Sequence, residues 1–160
     1  MNKKSIIPIV LMIVALVAVS GCTSNTGNNT TSVKNDTVNG ISFNYPSGWT
    51  ISNTTSDMIL ITKDSDGNTH VTIQTLLSAG GLSNSNMIPS GNFTKVSNST
   101  VTVNNVTANE VIYKDGQLQY ATIYFSKNGK TYIINFQTAI NNFDQEKKNL
   151  DIIVNNLTVG

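Results

Sequence analysis

The sequence contains no arginine; all ten of its basic residues are lysine. The planar guanidinium fork that favours phosphate and base-edge recognition is therefore absent. Charged residues make up 12% of the chain and the formal net charge is +1. Without a basic stripe there is no electrostatic footprint for a nucleic acid, and none is expected as a partner. Cysteine, histidine and tryptophan occur once each, and the only glutamates are Glu110 and Glu146. A lone thiol forms no internal disulfide. One histidine with no second thiol leaves no ligand set for a structural zinc. No G-x-S-x-G elbow is present to set up a serine nucleophile. No metal and no cofactor are expected.

The chain does have a long apolar run, and only at its start. Met1-Asn2-Lys3-Lys4 is a short positive segment, and Ile6 to Val19 is a 14-residue apolar stretch broken only by Pro8. A transmembrane helix needs about 20 residues, so this run reads as a secretory signal. Val19-Ser20-Gly21-Cys22 follows at once and resembles a prokaryotic lipobox. Two small residues let the backbone enter a peptidase site, and the thiol of Cys22 accepts the lipid. Each buried methylene contributes about 0.8 kcal/mol, so two acyl chains anchor stably where one does not. The expected organisation is a signal peptide over 1–21, a lipid anchor and tether over 22–37, and a globular domain over 38–160. The tether is rich in Asn, Thr and Ser and almost without apolar residues. Losing Lys3 and Lys4 leaves eight Lys against nine Asp plus Glu, a net charge of about −1. The expected location is the outer face of the cytoplasmic membrane.

Past Gly40 the pattern is mostly strand. Ile41, Phe43 and Tyr45 alternate with polar residues, and Trp49-Thr50-Ile51 resumes after Pro46-Ser47-Gly48. Asp66-Gly67, Asn104-Asn105, Asp115-Gly116 and Asn128-Gly129 each separate two strand-like segments. Turn signals at such spacing predict an antiparallel meander rather than βαβ units. Near the end, Phe143, Lys147, Leu150, Ile153, Val154 and Leu157 recur at helical spacing, with Asn142 or Asp144 as candidate caps. One helical turn is a candidate at Leu82 to Met87. These features predict an α+β domain, an antiparallel sheet of six or seven strands packed by a C-terminal helix.

Gly40 to Trp49 reads G-I-S-F-N-Y-P-S-G-W, which resembles the "G-x-x-F-x-Y-P-x-x-W" entry of PsbP-like domains. The later order is similar too: Val103-Asn-Asn-Val-Thr-Ala-Asn-Glu-Val111, two long strands and a final helix. Together these features resemble the PsbP-related surface lipoproteins of methanogenic archaea, over about residues 38 to 159. The helix that the family carries after its first strands is shortened here, around Ser78 to Pro89. The resemblance implies an α/β/α sandwich and an accessory or binding role, with no catalytic residue to carry over. In physical terms the entry motif is structural: Phe43, Tyr45 and Trp49 bury aromatic area where the chain enters the core, and Pro46 sets the turn.

The remaining candidates for chemistry are few. His70 needs a Ser or Asp partner to act as a base. Asp64-Ser65-Asp66-Gly67-Asn68 looks like the start of a calcium loop, with Asp57 as a distant further ligand, but lacks the Glu at its twelfth position. A hairpin tip explains it equally well. Glu110 and Glu146 are expected at solvated surface positions rather than as a glycosidase pair. Tyr113, Tyr120, Tyr124 and Tyr132 are candidates to line a pocket between sheet and helix, or to pack as core. Sequons begin at Asn28, Asn29, Asn35, Asn53, Asn92, Asn98, Asn105 and Asn156; Asn53, Asn92, Asn98 and Asn105 are the candidate glycosylation sites within the domain. The expected function is a non-enzymatic binding or assembly module, held to the membrane through lipid on Cys22 and engaging an envelope protein or a small ligand. The alternatives are solute capture for an uptake system and, further off, an envelope hydrolase.

Overall fold

The computed structural model describes residues 31–77 and 87–160. The expected signal and lipobox with Cys22, the sequons at Asn28 and Asn29, and most of the candidate turn at Leu82 to Met87 lie outside them. Ten strands and one long helix follow in order: β1 (Val33–Val38), β2 (Ile41–Pro46), β3 (Trp49–Thr54), β4 (Met58–Lys63), β5 (Asp66–Leu76), β6 (Thr94–Val103), β7 (Val106–Asp115), β8 (Leu118–Lys127), β9 (Lys130–Ala139), α1 (Phe143–Asn155) and β10 (Thr158–Val159).

Tight hairpins set the topology. Asn39-Gly40, Asn104-Asn105 and Asn128-Gly129 are two-residue loops with positive φ at both positions, 54° and 74°, 49° and 62°, 52° and 74°. This is the type I′ pattern, whose twist matches the flanking strands, and Asn and Gly tolerate it best. Gly116-Gln117 closes the fourth hairpin, with Gly116 at φ 30°. Asp66-Gly67 does not form a loop apex as expected. The chain turns at Asp64-Ser65, and β5 already begins at Asp66, opposite Lys63. The register then slips between Thr62 and Lys63, so the Asp-Gly pair sits in an irregular strand start.

Seven strands form one antiparallel sheet in the order β3-β4-β5-β9-β8-β7-β6, and β1-β2-β10 form a second, small sheet. One face of the large sheet presents Ile59, Ile61, Val71, Ile73, Ala121, Ile123, Phe125, Tyr132, Ile134 and Phe136. Phe43 from β2 and Phe143, Leu150, Ile153 and Val154 from α1 join them in one buried cluster. The helix thus packs beside the small sheet over the large one.

The domain begins earlier than Val38. β1 pairs along its length with β2, so Val33 to Thr37, expected in a tether, are part of the folded domain. Its half-buried positions are Lys34, Asp36 and Val38, which is why no apolar alternation announces it. Lys34 lays its stem inward: its Nζ donates to the Trp49 carbonyl at 2.6 Å and lies 5.3 Å from the Tyr45 ring centre. The helix start also differs in detail. A 3₁₀ turn at Ile140–Asn142 feeds α1, so Asn142 makes no side-chain cap, while Asp144 and Glu146 complement the helix N-terminus by charge.

Candidate functional site

The entry motif lies inside the fold. Phe43, Tyr45 and Trp49 are all buried, and the Phe43 and Tyr45 rings meet at 5.8 Å and 45°. Burial, and then the nearby Asp36 charge, push the Tyr45 hydroxyl above its ordinary range. No face of these rings is open to a stacking ligand.

The two glutamates are not solvated. Glu110 is 5% exposed and Glu146 3%. Glu146 accepts from Lys63 Nζ at 2.5 Å and from Asn149 Nδ2 at 2.8 Å. Glu110 accepts from Ser99 Oγ at 3.0 Å, and Lys147 Nζ approaches its other oxygen at 3.0 Å, as an ion pair off the hydrogen-bond direction. Lys147 also pairs with Asp151 at 2.9 Å. Burial lowers the pKa of that ammonium, but Asp151 and Glu110 outweigh it, so the charge is held more firmly than usual. Each carboxylate is committed to its own lysine, one on β4 and one on α1. Helical spacing and strand alternation alone gave no sign of this, because a buried ion pair looks like two surface charges until the partners are known.

His70 sits half-buried on the face of the large sheet away from α1, between Thr62 and Gln137 on the neighbouring strands. Burial lowers its pKa, opposed by the Gly67 backbone. Among the described residues no Ser or Asp is hydrogen-bonded to it. Asp66 spends both carboxylate oxygens locally, accepting from Asn68 N at 3.1 Å and Thr69 Oγ1 at 2.7 Å. Those two bonds, with Lys63, hold its carboxyl below the usual range. The Asp-rich segment is thus an internally bonded turn. Among the described residues no three His, Cys, Asp or Glu side chains gather as metal ligands.

The four tyrosines do not converge on one pocket. Tyr132 lies on the helix side, stacked on Phe125 at 5.2 Å. Tyr113, Tyr120 and Tyr124 lie on the opposite face, by strand alternation from Ala121, Ile123 and Phe125. Tyr113 and Tyr120 stack at 5.0 Å and 9°, and Phe93 meets both edge-on at 5.6 and 5.7 Å. The Tyr120 hydroxyl donates to Asp115 at 3.1 Å. Burial first, and then that carboxylate, push it up to about 12. This is a packed aromatic cluster under the chain segment entering β6. The described sequon asparagines, Asn35, Asn53, Asn92, Asn98, Asn105 and Asn156, are all exposed. Asn53 and Asn98 lie on β3 and β6, the two edge strands of the large sheet.

Two cavities mark opposite ends of the sheet. The larger, about 420 Å³, is bordered by Gly116, Gln117, Ala139, Ile140 and Asn141, none of them ionisable. The smaller, about 220 Å³, is lined by Asn39, Ser56, Asp57, Thr75, Leu77, Lys130 and Tyr132. Its rim is stitched together: Asn39 Nδ2 donates to the Thr55 carbonyl, Thr55 N to Met58 O at 2.8 Å, and Thr75 N to Asp57 O at 2.8 Å. Of this set only Asp57 and Tyr132 stood out in the sequence, each for another reason. The rest are brought together by loops distant in the chain, which no local spacing reports.

Residues 6–159 match the family described as PsbP-like protein. No curated protein matches the sequence. Among solved structures the chain is similar to the cyanobacterial PsbP (CyanoP) of Synechocystis sp. PCC 6803, with a TM-score of 0.56 at 13% identity, covering 87% of this chain and 99% of that one. It is also similar to a Bacteroides thetaiotaomicron protein, with a TM-score of 0.55 at 11% identity, covering 76% of this chain and 45% of that one. Identities this low show a shared fold alone. With a family match that runs through the signal-like segment, both sheets and the helix, the chain belongs to the PsbP-like protein family.

Proposed function

We propose that this PsbP-like protein is a lipoprotein of the outer face of the cytoplasmic membrane, acting as a non-enzymatic accessory module that binds an envelope partner. The observation that carries the anchoring is Val19-Ser20-Gly21-Cys22 directly after the 14-residue apolar run. The short hydrophilic stretch between Cys22 and β1 then places the domain close to the bilayer. Support for a binding role is the lack of assembled catalytic groups among the described residues: the buried glutamates are held by lysines, and His70 has no Ser or Asp partner. Two sheets and a helix packed on one core form a rigid platform, and binding residues are best held on such a scaffold.

Cys22→Ala is the direct variant. It is expected to move the protein from the membrane fraction to the soluble fraction, or to leave the leader uncleaved, while the β-rich circular dichroism spectrum stays the same. Cross-linking on membranes should then capture a partner for the native protein that the variant fails to capture. Membrane retention of Cys22→Ala with a processed leader contradicts the anchor; turnover of a substrate by the purified native protein contradicts the accessory role.

A further inference from the structure

We propose that the 220 Å³ cavity at the Asn39-Gly40 end of the large sheet is a binding site for a small zwitterion, a molecule carrying an ammonium and a carboxylate a few bonds apart. The proposal gives the binding-module reading a ligand class, and it rests on that reading only for its biological sense.

The first observation is Tyr132. The residue is 2% exposed, lines the cavity, and stacks its ring on Phe125. Its hydroxyl makes no hydrogen bond among the described residues. The hydroxyl is not sealed off from solvent, so the cavity that the residue lines is where water or a ligand group reaches it. The second observation is the charge pattern. Asp57 and Lys130 line the same cavity, and neither makes an ion pair among the described residues. Asp57 Oδ1 accepts from Thr55 Oγ1 at 2.8 Å, which orients the carboxylate, and its other oxygen makes no hydrogen bond among the described residues.

An ammonium on the ligand faces Asp57, a carboxylate faces Lys130, and Tyr132 adds a hydrogen bond from below. A simple anion or cation would meet one attractive charge and one repulsive charge. An uncharged polyol would leave both charges unused. Charge-assisted hydrogen bonds are about twice as strong as neutral ones, so the zwitterion is favoured. Size limits the occupant as well: drug-sized pockets start at about 300 Å³, so this one takes a metabolite-sized molecule. Leu77, 84% exposed at the rim, offers an apolar surface for a short aliphatic side chain. The bonds that pin Asn39, Thr55 and Thr75 set the rim before a ligand arrives, which lowers the ordering cost of binding.

The test uses the full-length protein in nanodiscs. Saturation-transfer NMR is recorded with each neutral L-amino acid in turn, and isothermal titration calorimetry with those that respond. The controls are isopentylamine, 4-methylpentanoate and glucose. At least one amino acid should bind saturably, and each control at least tenfold more weakly. Asp57→Asn and Lys130→Met should each weaken binding a few-fold, since both charges are exposed and screened by solvent. Tyr132→Phe should weaken it a few-fold with its thermal midpoint unchanged or raised. No response to any amino acid, glucose binding as well as the best of them, or native affinity in both charge variants overturns the proposal. Because acylation of Cys22 is read separately by mass, failure here is distinguishable from failure of the anchor.

Discussion

Glu146 is a helix residue whose carboxylate is buried, 3% exposed. On a helix surface a glutamate is ordinarily solvated, yet here it lies against the core with Lys63 and Asn149 as partners. Removing one member of a buried pair leaves an uncompensated charge, which costs several kcal/mol in a dry site. Lys63 is 27% exposed and Asn149 remains, so Lys63→Met should destabilise by about 2 kcal/mol, measured by urea unfolding. Adding Glu146→Leu should recover most of that loss, since replacing both partners removes the stranded charge. His70 makes the second prediction. Its folded pKa is depressed by burial, so below the unfolded value near 6.5 the unfolded chain binds more protons. Stability should therefore fall as pH drops from 7 to 5. As the only histidine, it is the only side chain with an ordinary pKa in that window. Thermal midpoints measured across it should flatten in His70→Asn; an unchanged slope would place the proton elsewhere.

At the scale of elements, the turns carried the most legible information. Asn104-Asn105, Asp115-Gly116 and Asn128-Gly129 each mark a hairpin, because positive φ is affordable to few residues and the sequence must display them. Gly129 sits at φ 74° with open space where a Cβ would go. Gly129→Ala thus meets backbone strain alone and should lower stability by about 1 kcal/mol with the fold intact, read as a shift in the denaturant midpoint. Asp66-Gly67 was misleading for an opposite reason. Asp66 bonds to Asn68 and Thr69 inside an irregular strand start, and the apex moved to Asp64-Ser65. β1 was hidden because Lys34 and Asp36 occupy its inward positions, where alternation is sought among apolar residues. α1 was readable from its stripe, though its inward neighbour at the first turn is Glu146 and Lys147 lies at the flank.

For the whole molecule, the α+β class, the long meander and the C-terminal helix followed from periodicity and turn chemistry, which are local. The division into two sheets did not, since β2 pairs with β1 and with the distant β10 rather than with its chain neighbour β3. The small cavity was illegible for the same reason: Asn39, Asp57 and Lys130, at three hairpin ends, meet Thr75 near the end of β5 only once the sheets are assembled. The broad reading of anchor and display needs none of this and turns on the chemistry of one sulfur. Intact-mass spectrometry of the native protein from membranes is the most direct test. The account predicts a chain beginning at Cys22, heavier than its polypeptide by a diacylglyceryl group, with any glycans adding discrete further increments. A chain that retains Met1 and carries a free Cys22 thiol would contradict it.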